Sequence, residues 1–212
     1  MTVPVLDFWF EYASTYSYLA AMRVGVLAET ADVAVRFRPF LLGPILKAQG
    51  WDTSPFNLFP AKGRHMWRDL ERTCAEHKLA FRRPTPFPQS SVLAARVALV
   101  GLDQSLDASL SESIRPWGND FCRGVFRAEF ADGMRIDAPE TIRLILSDLN
   151  VDAEAAIARA QTDAIKDRLR SQTAQAQELG IFGAPTFITA DGELFWGNDR
   201  MESAIAWARR TA

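Results

Sequence analysis

The chain has 212 residues, 48% of them apolar and 24% charged, which is the make-up of an ordinary globular protein. A formal net charge of −2 offers no basic stripe for DNA or RNA. No apolar run reaches the roughly 18 residues that span a bilayer, and the first residues lack a basic start and a small-residue cleavage site, so a cytoplasmic protein without membrane or nucleic-acid partners is expected.

In chain order, residues 3 to 10 are rich in Val, Leu, Phe and Trp and read as a buried strand. Ser14 then stands where a helix N-cap belongs. From Thr15 to about Glu29, Tyr18, Leu19, Met22, Val26 and Leu27 recur at helical spacing. Residues 33 to 40 alternate Val33, Val35 and Phe37 with Ala34, Arg36 and Arg38, as a half-buried strand does. Together these segments make a βαβ unit with parallel strands.

Residues 41 to 61 read as loop, punctuated by Gly43, Pro44, Gly50, Pro55 and Pro60. Helical spacing returns from Lys62 to Lys78, with Met66, Trp67, Leu70 and Cys74 on one face. The prolines of "RRPTPFPQ", 82 to 89, predict a stiff extended loop. Further helices are expected at 90–102, about 110–130, 139–149 and 152–179, the last with a break. Pro139 and Glu140 suit a first helical turn. "APTFITA", 184 to 190, reads as a strand, Asp191-Gly192 as a hairpin turn, and "ELFWG", 193 to 197, as the returning strand. Residues 200 to 210 form an amphipathic helix. The economical architecture is α/β: one mixed sheet, split in sequence by a large helical insertion.

The residues exclude several chemistries. Two histidines, His65 and His77, and two cysteines, Cys74 and Cys122, are too sparse for a zinc site, and no metal is expected. The cysteines form no Cys-x-x-Cys pair. No nucleophile elbow, dinucleotide fingerprint or P-loop is present.

Three places remain. Ser14 and Ser17 are spaced like the sulfurs of a Cys-x-x-Cys motif, at a helix start whose unpaired N–H groups favour an anion. Ser14 either only caps that helix or also donates to a bound ligand. Pro185 precedes an apolar strand; a cis Ala184-Pro185 bond would offer the Ala184 backbone to a ligand, whereas a trans proline would merely start the strand. Asn198 and Asp199 lie where the last strand meets the last helix, either as a cap or as counter-charge for a ligand ammonium.

The stretches "DFWFEYASTYSYLA", "PAKGRHMWRDLER", "GIFGAPTF" and "FWGNDR", in this order along nearly the whole chain, resemble the 2-hydroxychromene-2-carboxylate isomerase family. That family is related to kappa-class glutathione transferases and DsbA-like oxidoreductases. The resemblance implies a thioredoxin-like fold from residues 1–40 and 171–212, with 41–170 as loop and inserted helical domain. It implies glutathione as cofactor, a small aromatic substrate and a homodimer. Ser14 matches the catalytic serine that contacts the glutathione sulfur. Ala184 and Pro185 match the segment that pairs with the cysteinyl backbone, and Asn198 and Asp199 the residues holding the γ-glutamyl end. Asn57 is similar to an asparagine that contacts glutathione. Lys62 is a candidate for the glutathione glycine or a substrate carboxylate, or else a solvated lysine. Thr15 replaces the proline common in the family. Trp51, Phe56, Phe59 and Phe87 are candidates for an aromatic substrate slot. The implied reaction is glutathione-dependent cis–trans isomerisation; a kappa-like transferase or peroxidase and a non-catalytic glutathione-binding module are the alternatives.

Overall fold

Strand β1 (Val5–Phe10) is covered on both faces from Phe8 to Phe10, which suits its apolar residues, and Asp7 alone interrupts them. The computed structural model describes residues 3–103 and 117–211. Leu6, Phe8 and Phe10 point into the main core, while Trp9 points into a smaller cluster with Phe40, Ile45 and Ile188. The chain continues through α1 (Thr15–Thr30) into β2 (Ala34–Pro39), parallel to β1. Asp7 lies opposite Arg36 and takes it in a two-pronged ion pair, at 2.7 and 2.9 Å. The βαβ unit is therefore present.

The buried face of α1 includes Tyr18, Leu19, Ala21, Val24 and Ala28. Val26, expected on that face, is 69% exposed; the small residues Ala21 and Ala28 serve it instead and let neighbouring elements approach closely.

The stretch 41–61 corrects the sequence reading. It holds two short helices, α2 (Leu42–Ala48) and α3 (Pro55–Leu58). Helix α4 then runs Pro60–Glu76 and buries Met66, Trp67, Leu70 and Cys74 as expected. Pro55 and Pro60 each open a helix, where a missing N–H does no harm.

Helices α5 (Val92–Gly101), α6 (Gly118–Phe130), α7 (Pro139–Asp148), α8 (Ala153–Ala160) and α9 (Asp163–Glu178) follow. The expected start near 110 lies outside the described residues. The anticipated break falls at Gln161 and Thr162, between α8 and α9. Helix α9 returns to the sheet: Gln172 donates to the Pro39 carbonyl, and Thr173 Oγ1 accepts the Leu41 N–H.

Strands β3 (Thr186–Thr189) and β4 (Leu194–Trp196) form the expected hairpin, with Gly192 at φ +87° in the turn. β3 runs antiparallel to β1, giving a mixed sheet in the order β2-β1-β3-β4. A short 3-10 turn, Asn198–Arg200, leads into α10 (Met201–Arg210). Phe8 joins the strands in the core, stacked 5.3 Å from Phe187 and edge-on 5.2 Å from Phe37. This is a thioredoxin-type sheet interrupted by helices. Among the described residues no helix is long and apolar enough to cross a membrane.

Candidate active site

The turn after β1 sets Ser14 at the entrance to α1. Its N–H donates to the Glu11 carbonyl at 3.1 Å, and its own carbonyl accepts the first helical bond, from Tyr18, at 3.2 Å. Ser14 is extended at φ −112°, ψ 117°, and Oγ accepts the Ser17 N–H at 3.3 Å. It is thus an N-cap. The remaining N–H groups of the first turn, on Thr15 and Tyr16, have no intrahelical partner by geometry. A proline at position 15 would lack one of these two donors.

The Ala184-Pro185 bond is cis. The Ala184 carbonyl accepts the Ser14 hydroxyl at 3.0 Å, so segments 170 residues apart in sequence meet at this point. Ser17, one turn further, is fully buried, and its hydroxyl finds no partner among the described residues.

Ser14, Ala184 and Lys62 line one cavity of about 760 Å3, floored by Leu42, Leu46 and Met66. Trp51 and Phe56 border it, as the aromatic-slot reading expects. Phe59 does not; its ring is half exposed, and the Lys62 ammonium sits 4.7 Å over it. His65 also lines this cavity and was missed by sequence reasoning, because it lies in a charged helical stretch. Ser14 Oγ is engaged by backbone on both sides, not by His65.

Asn57 faces elsewhere. Its amide donates to Thr53 Oγ1 at 2.9 Å, and it lines a neighbouring cavity on the far side of Phe56, together with Phe87. Asn198 and Asp199 line a third cavity, of about 560 Å3. Tyr16 borders both this cavity and that of Ser14, so the two adjoin there. The Tyr16 hydroxyl donates to Asp69 at 2.9 Å. Burial first, then that hydrogen bond, hold its phenol well above the ordinary tyrosine value. Arg23 fixes Asn198 from below, donating to Oδ1 at 3.2 Å while pairing with Glu202 at 2.8 Å. Gly197, at φ +110°, permits the approach: a Cβ there would lie 2.5 Å from the Asp199 carboxylate. Asp199 itself is exposed and pairs with the neighbouring Arg200 at 3.5 Å.

Beneath the Ser14 turn lies Glu11, buried at the end of β1. Burial pushes its carboxyl up, opposed by hydrogen bonds from the Ser91 hydroxyl and from the N–H groups of Leu42 and Ala13. One carboxylate thus ties the Ser14 loop to the first residue of α2. Glu129 is nearby and fully buried, with neither oxygen partnered among the described residues. Burial, then the charges of Glu11 and Asp137, hold it well above the ordinary glutamate value of 4.5. Both cysteines are buried free thiols; burial pushes Cys74 up to about 11 and Cys122 up to about 12.

A hydroxyl capping a helix beside a cis-proline, on a mixed sheet broken by helices, defines a thioredoxin-fold site that cannot exchange disulfides. Residues 5–204 match the DSBA-like thioredoxin domain, and the chain belongs to that family. It is similar to a 2-hydroxychromene-2-carboxylate isomerase from Sphingobium xenophagum, 28% identical, covering 93% of this chain and 94% of the relative. A solved 2-hydroxychromene-2-carboxylate isomerase superposes with a TM-score of 0.79 at 26% identity, covering 98% and 97% of the two chains. Glutathione S-transferase kappa 2 from Caenorhabditis elegans is 24% identical, covering 93% and 88%.

Proposed function

We propose that the chain is a glutathione-dependent isomerase that interconverts 2-hydroxychromene-2-carboxylate and trans-o-hydroxybenzylidenepyruvate. The observation that carries this is the Ser14 corner: a helix start and a hydroxyl opening on an apolar cavity, in a chain similar over nearly its whole length to such isomerases.

The residues present fit glutathione. The Ala184 backbone offers a pairing edge for a cysteinyl residue, and Ser14 with the Thr15 and Tyr16 N–H groups faces where a sulfur would lie. Past Tyr16, Asp199 and Asn198 suit an α-ammonium and α-carboxylate, and Lys62 suits the glycine carboxylate. Asn57 enters this set only if its side chain leaves Thr53.

Bound glutathione supplies a sulfur nucleophile whose reversible addition lets a conjugated double bond turn as a single bond. The helix start favours that sulfur as its anion, as helix N-termini do for protein thiolates. Ser14 donates a hydrogen bond to the Ala184 carbonyl at rest; an anion is the stronger acceptor, so the hydroxyl turns toward it. Leu42, Leu46, Trp51 and Phe56 exclude water around the aromatic substrate.

The test is ultraviolet titration of the glutathione thiol on the protein, together with glutathione-dependent turnover of 2-hydroxychromene-2-carboxylate. The bound thiol should ionise at lower pH than the free one, and Asp199→Asn should weaken glutathione binding with little effect on saturated turnover. An unshifted thiol removes the role of Ser14. A second reading, a kappa-like transferase, is favoured by the similarity to the Caenorhabditis elegans protein. It predicts a thioether product with an aromatic halide. Binding without turnover on either substrate would leave only a glutathione-binding module.

A further inference from the structure

The Phe56 wall of the Ser14 cavity has a second side. There a cavity of about 740 Å3 opens between the first half of α4 and the segment 83–87, and among the described residues Phe56 alone lines both. Gly63 holds this partition in place: a Cβ there would lie 2.6 Å from the Phe56 carbonyl oxygen, so α4 rests directly on the Phe56 backbone.

The floor of this second cavity is aromatic. Phe87 lies 5.3 Å from Phe56 and 4.8 Å, edge-on, from Trp67, ring centre to ring centre. Its rim is cationic. Arg64, Arg68 and Arg83 face a single lining carboxylate, Glu71, which Arg68 already takes at 2.8 Å. The Arg83 guanidinium is held 4.6 Å over the Trp67 ring. Among the described residues no carboxylate pairs with Arg64 or Arg83.

Two uncompensated guanidiniums thus meet at a concave aromatic surface. An inorganic anion would leave the floor uncovered, and a neutral aromatic would leave the charge unanswered. A flat ring bearing a carboxylate satisfies both, by stacking and edge contacts below and a guanidinium fork above. We propose that this cavity is a second ligand site, for a small aromatic carboxylate, separate from the Ser14 cavity. It stands whether or not the Ser14 cavity takes glutathione.

Calorimetry with 2-naphthoate at low salt tests it, with uncharged 2-naphthamide as control. Naphthoate should bind the parent protein, and naphthamide more weakly. The Arg64→Met/Arg83→Met protein should bind naphthoate about tenfold more weakly, the scale of two half-exposed charge contacts. Both arginines are exposed, so the variant should unfold at the parental urea midpoint, which is checked first. Lys62→Met, in the Ser14 cavity, should leave naphthoate binding unchanged, and the arginine variant should keep parental glutathione affinity. The proposal is overturned if the parent takes up no naphthoate, or if the arginines do not matter to it. It also fails if Lys62→Met alone weakens naphthoate, which places the probe beside Ser14, or if glutathione affinity falls with the arginines, which makes the cavity part of the glutathione site.

Discussion

Ser14 caps α1 and faces the cavity with the same oxygen, so a single substitution confounds the two roles. Glycine and alanine separate them. At an N-cap, alanine costs about 0.5–2 kcal/mol whereas glycine costs only a few tenths. Both remove the hydroxyl. Ser14→Ala should therefore lose stability in chemical denaturation while Ser14→Gly stays close to the parent, and both should lose the depressed thiol pKa of bound glutathione. If Ser14→Gly keeps the depression, the helix N–H groups suffice and the hydroxyl only caps. The position of Ser14 was legible because a cap residue between a strand and a helix is a local pattern. His65 and Tyr16 were not. Which side of a helix faces a distant loop depends on packing that no local spacing records, and the amide of Asn57 turned to Thr53 for the same reason.

Among the elements, α2 begins on one buried contact. It has no side-chain cap of its own; the buried carboxylate of Glu11 accepts the N–H of its first residue, Leu42, at 3.0 Å. Glu11→Gln replaces one acceptor oxygen by a donor that faces N–H groups and a hydroxyl already pointing inward. The loss should be about 1–3 kcal/mol, the scale of an unsatisfied buried polar group, read in urea unfolding. Turnover should fall with it, because Leu42 and Leu46 wall the Ser14 cavity. An unchanged midpoint would show that water or backbone shifts replace the carboxylate. Much of the element order was readable: an apolar stretch marked β1, period-two alternation marked β2, and Asp191-Gly192 marked the hairpin. Helices α2 and α3 were hidden by prolines and a glycine. Gly43 and Pro44 fall in the first turn of α2, where an N–H is not needed, so residues that look like breakers are compatible with a helix start.

Over the molecule as a whole, Glu129 sets an acid–base property of folding. Its carboxyl ionises at higher pH in the folded protein than in the unfolded chain, chiefly through burial. The folded state therefore binds more protons than the unfolded state above the ordinary value of 4.5. Its contribution to stability is fully present below that pH and declines as pH rises toward the folded value, by up to about 1.4 kcal/mol per pH unit. Glu129→Gln cannot ionise. It should match the parent near pH 5 and exceed it in melting temperature at pH 8. A constant gap across that range would mean that Glu129 is already ionised in the folded state. The two cysteines share this buried character, with a different result. Their thiols stay protonated at neutral pH, and the half-buried corner at the start of α1 carries the hydroxyl of Ser14. The folded polypeptide therefore shows alkylating agents and peroxides no thiolate of its own. With glutathione as the nucleophile, oxidative damage would fall on a diffusible molecule that the next binding event replaces, and no dedicated reductase would be needed to restore the protein.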